Sequence, residues 1–202
     1  MTKFISFCLS LLPLFAISQY RDYDSNRIGI NAGLNQFTPY TDDFKATPGT
    51  GWNAGLSLRG NFYNDFDMVY GIQFSEANFT AETIGGEEVK YKLSAVQISL
   101  LLSYKIAGDH FSVEIGPMLQ VNGDLTYDDG IYEDVILKNS DYTADEISKT
   151  SRFGFYPTVG ITGGLSRLRL SATYQYGVTN LMKSSGAKVN GGYLSGNIIF
   201  YL

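Results

Sequence analysis

Eight segments of the chain alternate apolar and polar side chains with a period of two, and this pattern restricts the fold most. Successive side chains of a β-strand point to opposite faces, so each segment predicts a strand with one apolar face. The apolar phases run over residues 28–34, 52–62, 68–74, 96–106, 111–121, 153–161, 168–176 and 194–202. After residue 18 no stretch has the roughly eighteen consecutive apolar residues of a membrane-spanning helix. The sequence therefore predicts an all-β protein.

The composition of the two faces distinguishes a membrane barrel from a soluble sandwich. No position on the apolar phase is charged, although 17% of the chain is, and a charge that faces hydrocarbon costs about 2–4 kcal/mol. The other phase carries Asn, Ser, Thr, Gln and Gly instead of the Lys and Glu expected outside a soluble sheet. Its large aliphatic exceptions are Val69, Leu101, Met118 and Ile199. We expect the apolar face to contact lipid.

The connections between the predicted strands alternate in length. Short turns at 63–67, 107–110 and 163–167 alternate with long loops at 38–51, 79–92, 122–152 and 178–192. Outer-membrane barrels have short periplasmic turns and long extracellular loops, with aromatic residues near the strand ends. The prediction is an eight-stranded antiparallel up-and-down transmembrane β-barrel whose even strand number places both termini in the periplasm.

Residues 1–18 have the layout of a cleaved export signal. Lys3 precedes a mostly apolar stretch from Phe4 to Ile17, and Ala16 and Ser18 supply the small residues of a cleavage site. The predicted domains are a signal peptide at 1–18 and a barrel at 19–202. The single cysteine, Cys8, lies in the signal, which leaves the mature chain without disulfides or cysteine–zinc sites.

Short glycine-aromatic segments carry a resemblance to a known family. Residues 28–35, 96–104, 113–117 and 172–181 resemble the PorT-type outer-membrane β-barrel domain family of Gram-negative bacteria, and the resemblance extends from Arg27 to Leu202. Ser99 stands where the fourth strand of such proteins often carries proline. The resemblance implies an integral outer-membrane protein. Some members assist secretion machinery, but no motif of this chain transfers that role to it.

Charged residues on the inward face predict a polar plug. The predicted plug consists of Arg59, Lys105, Glu114 and Arg169. Folding the fourth and fifth strands about their turn places Ser103 opposite Glu114 and Lys105 on its diagonal, within reach of the only inward carboxylate expected. The interior of an eight-stranded barrel is just wide enough to be filled by side chains. A selective pore is the alternative.

The third long loop concentrates negative charge. Between Gly123 and Ser151 it carries eight acidic residues and two lysines. Its apolar residues fit either a folded cap or a partner surface. A loose divalent-cation site is the alternative to a solvated acidic loop, although Leu125 and Tyr127 do not fit an EF-hand register. The candidate partner-binding residues are Asp124, Tyr127, Asp128, Asp129, Tyr132, Glu133, Asp134 and Tyr142.

These observations predict a non-enzymatic barrel in the Gram-negative outer membrane, with no cofactor and no metal. His110 is the only histidine, and it lies in a predicted periplasmic turn, away from the outer rim where outer-membrane enzymes work. A net charge of −5 argues against nucleic acid. The expected partners are membrane lipid, the barrel-assembly machinery during biogenesis, and an outer-membrane protein or surface ligand bound by the loops, as in an accessory of a secretion or assembly complex. A small pore or transporter is the second hypothesis and an enzyme the third.

Overall fold

Eight antiparallel strands close into a barrel in chain order, and β8 pairs with β1. The computed structural model describes residues 26–108, 110–127, 136–138, 142–144, 147–183 and 188–202. The strands are β1 (Arg27–Tyr40), β2 (Ala46–Tyr63), β3 (Phe66–Glu82), β4 (Glu88–Lys105), β5 (Phe111–Thr126), β6 (Phe153–Gly164), β7 (Leu168–Tyr176) and β8 (Asn190–Tyr201). The predicted fold class is confirmed. The predicted signal peptide lies outside the described residues.

The outer surface of the barrel carries a continuous apolar band. On β3 and β4 the band has five outward-facing rows of paired residues, from Phe74–Val96 at the top to Phe66–Tyr104 at the bottom. Most large apolar side chains of the eight predicted apolar phases are exposed on this surface, and Met68, Leu102 and Val113 are half-buried. The four aliphatic exceptions of the polar phase, Val69, Leu101, Met118 and Ile199, are buried in the lumen. Outward exposure of so many large apolar side chains is what a barrel surrounded by lipid requires.

Above the band, the apolar and polar faces of β3 and β4 exchange places. Ala77, Phe79 and Ala81 point inward and are buried, and so are Val89, Tyr91, Leu93 and Ala95 on β4. The outward rows are now Glu76–Ser94, Asn78–Lys92, Thr80–Lys90 and Glu82–Glu88. At about 3.3 Å per residue and a tilt near 40°, these rows rise on the order of 20 Å beyond the band. The inversion marks the height at which the surroundings change from lipid to water.

The predicted bounds of two long loops are wrong, because the strands continue above the apolar band with their apolar side chains turned inward. Residues 79–92, predicted as a loop, are mostly strand, and β3 and β4 are joined by residues 83–87. β1 and β2 likewise extend into the predicted loop 38–51 and leave residues 41–45 as the connection. The long connections are 127–152 and 177–189. We call the end of the barrel with these connections the loop end and the opposite end the turn end.

The first hairpin turn of the turn end is shorter than predicted. Only residues 64 and 65 join β2 to β3, and Asn64 has a φ of 48°. Asparagine tolerates this left-handed conformation better than most residues, which suits a two-residue hairpin turn. The short turn starts β3 at Phe66 and makes Asp67 an inward-facing strand residue, 5% exposed.

Candidate functional site

A charged cluster fills the lumen near the turn end. The Arg59 guanidinium donates hydrogen bonds to Asp67 at 3.0 Å and to Ser103 at 2.9 Å, and it forms an ion pair with Glu114. Its Nε also donates to the Tyr201 hydroxyl at 3.3 Å. Arg59, on β2, thus crosses the lumen to reach β5. These side chains are buried, and a buried charge that loses its partner is costly.

Three of the predicted plug residues, Arg59, Lys105 and Glu114, belong to this layer, but their pairing differs from the prediction. Ser103 does lie opposite Glu114, as folding about the turn predicts. Lys105, however, pairs with Asp67 at 3.2 Å, so the expectation that Glu114 is the only inward carboxylate is wrong. Asp67 was missed because it fell in the turn predicted at 63–67. Arg169 donates to the Ser112 hydroxyl at 3.4 Å and to the Thr162 carbonyl at 3.3 Å.

A chain of amides lies on the β3–β4–β5 wall nearer the loop end. Gln73 donates to Gln97 at 2.6 Å, and Gln97 donates to Gln120 at 2.8 Å. Gln120 then donates to Asn122 at 2.6 Å and to the Tyr193 hydroxyl at 3.1 Å. Gln97 and Gln120 each donate and accept, so the chain satisfies several buried polar groups at once.

An apolar core fills the lumen above the amides. Phe37 packs on Tyr193 with ring centroids 4.8 Å apart, and Phe79 stacks on Tyr91 at 5.1 Å. The connections contribute Phe44, Leu137, Ala144, Ile147, Leu181, Met182 and Val189, all buried against these rings. Sequence reasoning missed Phe79 and Tyr91, because both lie in the predicted loop 79–92. The lumen is therefore packed with side chains at its loop end.

The described parts of the β5–β6 connection are attached to the rest of the barrel at two sides. On one side Lys138 N–H donates to the Glu82 carbonyl at 2.8 Å, and Ile84 N–H to the Ile136 carbonyl at 3.1 Å. On the other side Ser151 N–H donates to the Leu181 carbonyl at 2.6 Å and Leu125 N–H to the Ser148 carbonyl at 3.0 Å. We call the described parts, residues 136–138, 142–144 and 147–152, the cap.

An ion cluster reinforces the first attachment. The Glu82 carboxylate, four outward rows above the apolar band, pairs with both Lys138 and Lys45. Hydrogen bonds from Lys138 and then Lys45 hold the pKa of Glu82 below its ordinary value. The hydrogen bond to Glu82 raises the pKa of Lys45. The cluster therefore needs Glu82 ionised.

We expect Glu82→Gln to loosen the cap. In the unaltered chain the Glu82 charge stabilises the cap above about pH 4.5, and this contribution is lost as the pH falls through the lowered pKa of Glu82. Trypsin cleavage after Lys138 should become faster by a few-fold at pH 8, because local opening controls cleavage of a folded segment. Glu87→Gln, on the exposed 83–87 connection, is the matched control and should change nothing. Equal cleavage of both variants would contradict a role for the cluster.

Of the predicted partner-binding residues, the structure describes Asp124 on β5, Tyr127 just after it and Tyr142 in the cap. Asp124 is exposed; Tyr127 packs against Tyr91 with centroids 5.5 Å apart, and Tyr142 packs against the apolar core. Asp128, Asp129, Tyr132, Glu133 and Asp134 lie outside the described residues. Tyr127 also borders a surface cleft of about 600 Å³ that is lined by Asn78, Glu88, Lys90, Tyr91, Lys92 and Thr126.

Elsewhere in the part of the chain that the structure describes, groups suited to catalysis or metal binding are scarce. His110 is exposed in the turn between β4 and β5, at the turn end as predicted. Within the described ranges no three histidine, cysteine or acidic side chains converge as metal ligands. No helix among these residues is long and apolar enough to cross a membrane.

Comparison with known proteins identifies the family. The outer membrane protein beta-barrel domain family matches residues 18–183, which is most of the chain. The chain belongs to this family. The apolar band of this outer-membrane barrel therefore faces lipid. No curated protein matches the chain significantly.

Two solved outer-membrane proteins share the fold of this family member. Neisserial surface protein A is 15% identical over 86% of this chain and 96% of its own, with a TM-score of 0.55. Ail of Yersinia pestis, solved with the heparin analogue sucrose octasulfate, is 12% identical over 88% of this chain and 99% of its own, with a TM-score of 0.52. At these identities the likeness concerns the fold alone.

Proposed function

We propose that this outer-membrane barrel is a non-enzymatic anchor that presents a folded cap for binding a partner protein or a surface ligand. The observation that carries the proposal is the cap itself: Leu137, Ala144 and Ile147 are buried in the core at the loop end, and both sides of the cap are hydrogen-bonded to the wall. A passive loop needs no such core. Long connections held by a rigid scaffold are common places for binding.

The proposed orientation places the loop end outside the cell and both termini in the periplasm. Arg27 begins β1, and Gly29 pairs with Tyr201 in β8, so both chain ends of the barrel lie at the turn end. Short turns on the periplasmic side and long connections outside are the rule for outer-membrane barrels. The 1–18 export signal is part of the same proposal.

The charge of the β5–β6 connection indicates which kind of partner fits. Ail binds a polysulfated heparin analogue in its solved complex. In this chain the segment between Gly123 and Ser151 carries eight acidic residues and two lysines. Like charges across an interface are repelled and opposite charges are attracted during encounter. We therefore propose a basic or neutral partner for this chain rather than a polyanion.

Membership in the PorT-type family, and a role as accessory of a secretion or assembly complex, belong to this proposal. Their support is the set of glycine-aromatic segments, such as 28–35 and 172–181. A partner that co-purifies in stoichiometric amount would name the complex.

Neutralising four acidic residues of the β5–β6 connection tests the binding role. We expect the combined change Asp128→Asn, Asp129→Asn, Glu133→Gln and Asp134→Asn to reduce partner recovery from native membranes by about tenfold, equivalent to roughly 1.4 kcal/mol. The barrel should still insert, because β5 ends at Thr126 and β6 begins at Phe153, so these changes leave all eight strands unaltered. The control combines Asp42→Asn and Glu87→Gln on other connections with Glu88→Gln at the start of β4, and it should retain the partner. Unchanged recovery with the first variant would contradict the proposal.

A small pore is the second candidate function, and the packed lumen argues against it. The Arg59 cluster crosses the lumen at the turn end, and the aromatic core fills it at the loop end. An eight-stranded interior leaves little room beside such side chains. We expect the purified protein to show conductance near background in planar bilayers. A large, stable and ion-selective current would favour the pore.

A further inference from the structure

A cavity of about 70 Å³ lies in the lumen between the charged cluster and the loop end. Its lining includes polar residues of β1, β2, β7 and β8: Asn31, Ser57, Gln175 and Asn197. Glu114, the partner of Arg59, also borders it. Asn31, Ser57 and Gln175 are more than nine-tenths buried. The cavity is thus a polar site in the lumen of the barrel.

Four oxygen atoms at this cavity have no hydrogen-bond partner among the residues that the structure describes. They are Asn31 Oδ1, Ser57 Oγ, Gln175 Oε1 and Asn197 Oδ1. On the facing wall, by contrast, Gln73 borders the same cavity and bonds to Gln97. Buried polar groups in native proteins are almost always paired, with protein or with ordered water. The arrangement points to an occupant that donates hydrogen bonds.

The chemistry of the lining limits that occupant further. Three of the four atoms are amide carbonyl oxygens, which accept and do not donate, so an anion is disfavoured. The neighbouring layer holds Arg59, Lys105 and Arg169 against two carboxylates, Asp67 and Glu114, so the local charge does not favour a cation. A small neutral donor remains. At about 15–30 Å³ for each water molecule, the cavity has room for about two to four.

We propose that this cavity binds a cluster of ordered water molecules that pairs with Asn31, Ser57, Gln175 and Asn197. The cluster pairs with the four oxygens of the β7–β8–β1–β2 wall that border the cavity, as the amide chain pairs buried groups of the β3–β4–β5 wall. The lumen is then hydrated at its centre and blocked at both ends by side chains. This inference is independent of what the cap binds.

Replacing an amide of the cavity lining with an apolar side chain tests the proposal, because the sign of the stability change differs between a hydrated and a dry cavity. Removing an amide from a hydrated site takes a partner from the water and destabilises the barrel, whereas removing an unpaired amide from a dry site stabilises it. We expect Asn31→Leu and Gln175→Leu each to lower the urea midpoint of unfolding in lipid vesicles. Asn53→Leu is the matched control: Asn53 is 1% exposed and both of its amide atoms are unpaired within the described residues, but it does not border the cavity. It should leave the midpoint unchanged or raise it.

A direct measurement on the unaltered protein accompanies the variants. A high-resolution crystal structure of the full chain should contain ordered water within hydrogen-bond distance of at least three of the four oxygens. A cavity without ordered water in the electron density would overturn the proposal. A urea midpoint of unfolding that rises in both Asn31→Leu and Gln175→Leu would also overturn it. If either variant fails to fold, the crystallographic result decides alone.

Discussion

Leu100→Arg is expected to destabilise the folded barrel by about 2–4 kcal/mol, which lowers the folded-to-unfolded ratio about 30- to 900-fold. Leu100 faces outward and pairs with Tyr70 in the central row of the five-row apolar band. A guanidinium there is surrounded by hydrocarbon, where its loss of hydration is uncompensated. The loss should be visible as a smaller heat-modifiable fraction on gels and as a lower urea midpoint in lipid vesicles.

Two controls separate the effect of lipid from that of the strand. Leu100→Ala keeps the site apolar and should cost far less. Thr80→Arg places the same charge on the outward face of β3, three rows above the top of the band, where the surroundings are water. It should change stability by no more than about 0.5 kcal/mol. A large loss from Thr80→Arg, or none from Leu100→Arg, would mean that the band does not face lipid as described.

The barrel itself was predictable because one rule applies to every strand. Hydrocarbon surrounds the band on all sides, so the outward phase is apolar in all eight strands and can be read without knowing their neighbours. The same rule fails above the band, where water is outside and the apolar residues turn inward. Phe79 and Tyr91 then look like loop residues, although the inward phase from Ala77 to Ala81 continues without interruption. That continued alternation was the signal that could have found them.

The pairing inside the lumen was less predictable, since it depends on which strands face each other across the barrel. Neighbouring strands could be paired from their turn, and Ser103 opposite Glu114 is correct. The contact of Arg59 with Glu114 joins β2 and β5, which are not neighbours. It depends on the stagger of the closed barrel, which no local pattern encodes. The cap is a similar case, because its contacts join residues distant in sequence, such as Glu82 and Lys138.

Arg59→Leu is expected to be the most damaging change in the lumen, with a loss of about 3–5 kcal/mol in the free energy of unfolding. The side chain is buried and binds both carboxylates of the charged cluster as well as Ser103 and Tyr201. Its removal leaves Glu114 buried without its cation, while Asp67 keeps Lys105. Urea unfolding in vesicles measures the loss.

The double variant Arg59→Leu/Glu114→Leu tests whether that loss comes from the stranded carboxylate. A buried ion pair replaced on both sides by apolar side chains is often nearly neutral, whereas breaking it on one side is costly. The double variant should therefore be more stable than Arg59→Leu alone. Its conductance should stay near background, because the aromatic core of Phe37, Phe79, Tyr91 and Tyr193 still fills the loop end. A double variant no more stable than the single one would assign the loss to packing of the Arg59 stem. If a current appears in either variant, the charged cluster alone blocks conduction, and the aromatic core does not.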